Sequence, residues 1–133
     1  MFALNAKGTF LVLREAAKRI ADSGCIVDFS SAGTTGPNGG DGAYLGGKAA
    51  GEMFAQALAK ELGERGIRVN TISPGVTDTD GLVLDREVVE QLTAQTPLGR
   101  LGQPDDIADV VAFLVSDDAQ WLTGQNIRPT GGL

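Results

Sequence analysis

Apolar residues between Leu4 and Ile20 fall at Phe10, Val12, Leu13, Ala16, Ala17 and Ile20. That is the three-to-four spacing of one helix face, and Ser23-Gly24 ends the run. Cys25 to Phe29 is instead a short apolar run, broken by Asp28 and closed by Ser30-Ser31, which predicts a buried parallel strand. Gly33 to Gly42 is mostly Gly, Thr, Pro and Asn and predicts a loop. A second helical stripe, Met53, Phe54, Ala57, Leu58 and Leu62, predicts a long helix over about Ala43–Glu64, with Gly63 and Gly66 at its end. Ile67 to Ile72 is a second strand, stopped by Pro74-Gly75. A loop with Thr77, Asp78, Thr79 and Asp80 follows, then a short helix over Asp85–Ala94. Pro104-Asp105-Asp106 opens another helix, whose apolar face is Ile107, Val110, Val111, Phe113 and Leu114. Proline in a first turn lacks an N–H that would be unpaired there, and acids suit the positive helix end. Asn126–Arg128 is a last short strand before Gly131-Gly132. Strands and helices alternate, so the fold class is α/β: a parallel sheet of about three strands with flanking helices and right-handed crossovers.

Composition narrows the function more than the fold. At 133 residues, 42% apolar and 21% charged, the chain has the make-up of one globular domain with a real core. The net charge of −6 argues against nucleic acid or an anionic membrane as partner, since both call for basic patches. There is no histidine, which removes Ser-His-Asp and Cys-His triads and any His-ligated metal site. The single cysteine, Cys25, lies in an apolar run and is expected to be a buried thiol. No secretory leader opens the chain and no apolar run is long enough for a membrane span, so a cytoplasmic location is expected.

Four residues are candidates for chemistry: Asn5, Ser31, Tyr44 and Lys48. Tyr44 and Lys48 are four apart at the start of the long helix and share a face. An ammonium beside a phenol favours the phenolate, which would make Tyr44 a general acid/base near neutral pH. Ser31 lies at a strand's carboxyl end, where open α/β sheets bind ligands, and its hydroxyl could donate to a substrate oxygen as charge develops. Each feature alone has a plain structural alternative: a solvated helix pair, turn chemistry at Ser30-Ser31, an N-cap at Asn5. Together they converge on one sheet edge.

The set resembles a known family. Asn5-Ala6-Lys7-Gly8-Thr9-Phe10, Ser30-Ser31, Tyr44-x-x-x-Lys48, Arg68-Val69-Asn70-x-x-x-Pro74-Gly75, Pro97-Leu98-Gly99-Arg100, Gln103-Pro104-Asp105-Asp106-Ile107-Ala108, Thr123-Gly124-Gln125 and Gly131-Gly132 are similar, in order and spacing, to the classical short-chain dehydrogenases/reductases. The resemblance implies a partial Rossmann-like, doubly wound sheet. It also implies NAD or NADP as cofactor, a small-molecule carbonyl or alcohol as substrate, and a homo-oligomer. By the same resemblance Tyr44 would exchange a proton with the substrate oxygen, and Ser31 would bind that oxygen. Lys48 would act on Tyr44 and hold the nicotinamide ribose, and Asn5 would hold a water in a proton relay. Pro74, Gly75, Thr77 and Thr79 would face the nicotinamide and phosphates. The oligomer would use the helix after Asn5 and the Tyr44 helix. On the latter, Ala50, Ala55 and Ala59 are expected at the helix–helix contact and the larger apolar residues on the sheet.

The chain departs from the family pattern in several places. The family opens with a strand, a glycine-rich turn and a helix for the pyrophosphate. Gly36 to Gly42 lies between the catalytic serine and the Tyr44 helix and cannot be that turn. Residues 1–133 are therefore expected to be the C-terminal catalytic part of a truncated domain. Alone it would bind NAD(P) weakly and be inactive, so the alternative reading is a catalytically silent remnant that only associates. Gly46-Gly47 replace the usual Ala and Ser between Tyr44 and Lys48 and would either loosen that register or admit the cofactor closely. Asp28 stands where the family often has Asn. A Ser31–Lys48 hydrolase is a third reading, and it leaves Tyr44 and Pro74-Gly75 without a role.

Overall fold

The two five-residue apolar runs become the paired strands at the centre of the molecule. In a computed structural model describing Met1–Leu133, β1 (Cys25–Phe29) pairs in parallel with β2 (Arg68–Ile72), with Cys25 opposite Arg68 and Phe29 opposite Ile72. A two-residue β3 (Asn126–Ile127) pairs in parallel with the end of β2, giving the order β1-β2-β3. The helices are α1 (Thr9–Arg19), α2 (Gly42–Glu61), α3 (Arg86–Gln95) and α4 (Pro104–Val115). The expected α/β, doubly wound, three-stranded parallel sheet is the architecture found.

Alternation along the strands sends neighbouring side chains to opposite faces. On one face Val69 packs with Ala55, Ala59, Leu62 and Ile67, with Ala17 and Ile26 beside them, under α1 and α2. On the other, Ile72 packs with Ile107, Leu114 and Ala119 under α4. Ile72 and Leu114 are wholly buried, and burial of such a side chain contributes roughly 1.5–3 kcal/mol. Asn70, also wholly buried, has a partner at each polar side-chain atom: its Nδ2 donates to the Leu122 carbonyl at 2.8 Å and its Oδ1 accepts from Gln125 N at 3.0 Å. It thereby ties β2 to the loop that leads into β3.

Two local features differ from the sequence expectation. The helix before β1 is not uniform: Ala3–Gly8 is a wider π-helical turn, and the α-helical part begins at Thr9. The faces of α2 are also exchanged. Its buried positions are Leu45, Gly47, Gly51, Ala55 and Ala59, while Met53 and Ala57 point outward. Small residues at every fourth position let the helix axis approach the sheet closely; Met53 is left outside, and Leu58 packs at the margin of the core. Ala55 and Ala59 are thus core residues, not the outer contact. Phe54 packs instead on Phe10 of α1, rings edge to face with centroids 5.4 Å apart.

Candidate active site

Ser31 leaves β1 in an extended conformation and starts a tight turn over Ala32–Thr35. Its Oγ accepts from Gly33 N at 3.3 Å, leaving the hydroxyl hydrogen for another partner. The turn is fastened to the end of β2: Ser30 N donates to the Ile72 carbonyl at 2.8 Å and Ala32 N to the Pro74 carbonyl at 3.0 Å. Gly75 N in turn donates to the Pro129 carbonyl at 3.0 Å. A Cβ on Gly75 would lie 2.9 Å from Thr130 Cα, so that glycine is required by the strand exit packed against it. Serine and the Pro74-Gly75 turn therefore sit side by side at the carboxyl ends of the strands.

Tyr44 lies in the first turn of α2, about one-third exposed. Lys48, one turn further, donates from Nζ to the Phe29 carbonyl at 2.8 Å, and the same nitrogen is 6.0 Å from the Tyr44 ring centroid. The lysine thus pins α2 to the end of β1, at the outer limit of cation–π distance from the ring. Asn5 lies in the π-helical turn and is not an N-cap: its Nδ2 donates to the Met1 carbonyl at 3.3 Å. Its backbone presses on α2 at Gly47, where an added Cβ would stand 2.8 Å from Asn5 Cβ. Gly47 admits Asn5, not an outside ligand, and Gly46 faces open space.

A cleft of about 1220 Å³ gathers most of the candidates. Ser31, Tyr44, Pro74, Gly75, Thr77 and Thr79 line it, with an apolar wall from Leu45, Leu82, Leu92, Ile107 and Val111. Asn5 and Lys48 are not on its lining. Thr77 Oγ1 is turned back to the Gly75 carbonyl at 3.0 Å.

Behind the cleft lies a polar group that residue spacing alone did not single out. Glu52 Oε1 accepts from Ser30 Oγ at 2.5 Å and Thr34 Oγ1 at 2.8 Å, and Ser73 Oγ is 3.5 Å away. Arg128, just past β3, donates to the Ala32 carbonyl at 2.9 Å and to Thr34 Oγ1 at 3.3 Å. The signal for Glu52 was its place four residues after Lys48 and eight after Tyr44. Asp28 lies on the α2 side, where a Cβ on Gly51 would come within 3.2 Å of its Oδ2. Burial pushes its carboxyl above the usual range, and Lys48 draws it partly back. At the far rim, Arg100 forks onto Asp106 at 2.6 and 2.7 Å and Gln103 N donates to the same carboxylate at 2.6 Å. These bonds hold Asp106 down to about 2.

Comparison with known proteins places this geometry. A family model described as enoyl-(acyl carrier protein) reductase matches residues 1–133. An uncharacterised oxidoreductase of Methylorubrum extorquens is 44% identical over all of this chain and 55% of its own length. Human (3R)-3-hydroxyacyl-CoA dehydrogenase is 41% identical over all of this chain and 52% of its own. Among solved structures, angucycline C-6 ketoreductase LanV with bound NADP superposes with a TM-score of 0.92 at 39% identity, over 99% of this chain and 52% of that one. The chain spans about half the length of the curated relatives it matches.

Proposed function

The chain belongs to the short-chain dehydrogenase/reductase family, and from that premise we propose that it carries the proton-handling, nicotinamide-facing part of an NAD(P)-dependent oxidoreductase. The reaction interconverts a small-molecule carbonyl and a secondary alcohol. The observation that carries this reading is the convergence of Ser31, from a strand end, and Tyr44, from a helix start, on one cleft with the Pro74–Thr79 segment. The LanV structure holds NADP, and the names of the human relative and of LanV describe hydroxyl or keto chemistry, which supports the same class.

The donor set suits the reacting end of a dinucleotide. The cleft exceeds the roughly 300–1,000 Å³ of a site for one small ligand, leaving room for a flat ring and a substrate together. Thr77, Thr79 and the backbone of Pro74-Gly75 are the groups that would hold the ring side. When bound, the dinucleotide would give or take the hydride at the substrate carbon. The rest falls to this chain. Ser31 would donate its hydroxyl hydrogen to the carbonyl oxygen, and Tyr44 would deliver the proton that turns that oxygen into an alcohol. Lys48, fixed by Phe29, keeps two N–H groups for the phenol side or a ribose, and the leucine-lined wall would hold the substrate's hydrocarbon.

The test is a fusion of this chain behind the dinucleotide-binding half of a full-length relative, with NADPH or NADH consumption followed against ketones. Turnover is expected, falling by about 10²–10⁴-fold in Tyr44→Phe. A fusion that turns over equally well with Tyr44→Phe removes the assigned acid. One that binds dinucleotide but never turns over favours the second reading, an associating fold unit without catalysis. One feature supports that second reading: β1 is paired on one side only, and Phe29 at its end is 47% exposed.

A further inference from the structure

We propose that Glu52 is a positioning residue that fixes the Ser31 turn against the Tyr44 helix; this rests on Ser31 and Tyr44 being the reacting pair. Tyr44, Lys48 and Glu52 recur every fourth residue along α2 and form one stripe. Ser30 precedes the turn and Thr34 lies within it, so a single carboxylate oxygen holds the turn at its entry and in its body. Between the turn and the helix run Gly36, Gly39 and Gly40, none of which has a neighbour within 4 Å of where a Cβ would stand. That connection is too open to set the distance between Ser31 and Tyr44. The setting comes from across the gap.

Counting hydrogens separates the strong contacts from the weak one. Ser73 has one hydroxyl hydrogen and gives it to Asn126 Oδ1 at 2.7 Å, so its 3.5 Å approach to Glu52 contributes little. Ser30 is buried and points its hydrogen at Glu52. Thr34 chooses between the Ser31 carbonyl at 2.9 Å and Glu52 at 2.8 Å. Arg128 donates into Thr34 Oγ1, which polarises the O–H and strengthens it as a donor. Charge-assisted bonds of this kind are about twice as strong as neutral ones. The turn is thus held between an arginine from the β3 side and a glutamate from the α2 side.

Amide hydrogen exchange, residue by residue, tests this on the 133-residue chain and its Glu52→Ala and Glu52→Gln variants. Tyr44 is the only tyrosine, so its ring signals report the cleft directly. In Glu52→Ala the amides of Ala32, Thr34 and Gly36 are expected to exchange about tenfold faster or more. Those of α1 and β2 should hold and the Tyr44 ring signals should move. Glu52→Gln keeps an acceptor oxygen and should restore most of the protection. If Glu52→Ala does not fold, Thr34→Val removes one of the two donors to Glu52, together with the oxygen that accepts from Arg128, and should loosen the same three amides. Unchanged turn amides would overturn the proposal, as would equal acceleration throughout the chain in every variant, which is the mark of a purely structural role. Neither cofactor nor substrate enters the measurement, so its outcome is separate from that of the oxidoreductase reading.

Discussion

Gly46 and Gly47 are adjacent in α2, yet alanine should act on them in opposite directions. Both are helical, so a Cβ at either one gains about 0.8–1 kcal/mol from helix propensity, part of it through the unfolded chain. At exposed Gly46 the new methyl meets nothing within 4 Å, and the gain stands alone. At buried Gly47 it would lie 2.8 Å from Asn5 Cβ, 3.6 Å from the Asn5 carbonyl carbon and 3.7 Å from Ala6 N. Those atoms belong to a helical turn and cannot swing aside as the end of a long side chain can. The turn must shift, and overpacking of this kind typically costs about 1–3 kcal/mol. Gly46→Ala should therefore stabilise by about 0.5–1 kcal/mol, and Gly47→Ala should range from neutral to about 2 kcal/mol destabilising. The separation between the two variants, about 1–3 kcal/mol, is the cleaner quantity because the propensity gain cancels. Urea unfolding with a common slope, or thermal midpoints moving about 3–6 °C per kcal/mol, would resolve it. If Gly47→Ala proved as stabilising as Gly46→Ala, the turn carrying Asn5 would not be seated on α2 as described.

The other expectations concern charge and association. Burial raises the Asp28 carboxyl, with Lys48 opposing and Glu52 adding to the rise, so its ionisation works against folding as pH climbs from about 4 through the raised value. Asp28→Asn should be more stable at neutral pH, with the gain fading below about pH 4; thermal midpoints that differ equally at every pH would contradict this. Asp106 is the opposite case: held at about 2 by Arg100 and Gln103 N, it favours folding above its usual range and loses that effect as pH falls towards 2. Asp106→Asn should flatten the acid limb of the stability profile between about pH 4 and pH 2, and an unchanged limb would show that the Arg100 fork does not persist in solution. Phe10, Val12 and Met53 are exposed on α1 and the outer side of α2, and sedimentation at high micromolar concentration should show self-association; a clean monomer would count against it.

The strands were legible because their cause is local. Cys25–Phe29 is an apolar run closed by Ser30-Ser31, and the run ending at Ile72 is closed by Pro74. The start of α4 was equally legible, from a proline followed by two acids. The faces of α2 were not. A hydropathy stripe picks Met53, Phe54, Ala57 and Leu58, of which Leu58 alone packs on the core, because the sheet accepts whichever side lets the axis come near. Gly47, Gly51, Ala55 and Ala59 are set apart by small size, which a hydropathy stripe does not read. The widened turn at Ala3–Gly8 lies against Gly47, a contact that no spacing within the first ten residues encodes. Of the candidate site, Ser31, Tyr44, Pro74, Gly75, Thr77 and Thr79 are found together on one cleft, whereas the Lys48 bond to the Phe29 carbonyl depends on a tertiary approach across 19 positions.

Two stripes on α2, one small and one polar, run side by side, and their offset explains how the site is held. Gly47 directly precedes Lys48, and Gly51 directly precedes Glu52. Successive helix residues point about 100° apart, so each small residue lies beside the polar one that follows it. Where Gly47 and Gly51 face Asn5, Thr9 and Asp28 without a side chain, the helix axis comes close enough for its neighbours to reach the strand ends. Lys48 then reaches the Phe29 carbonyl, and Glu52 reaches Ser30 and Thr34. A helix held off by ordinary side chains would stand further from β1, and both bonds would have to lengthen or break. The close approach carries an electrostatic penalty at Asp28, whose carboxyl is desolvated in the same seam. That penalty is relieved in part by Lys48, the residue the approach brings near. Gly47, which looked like a weakness between Tyr44 and Lys48, is therefore, with Gly51, what lets the polar stripe grip the sheet.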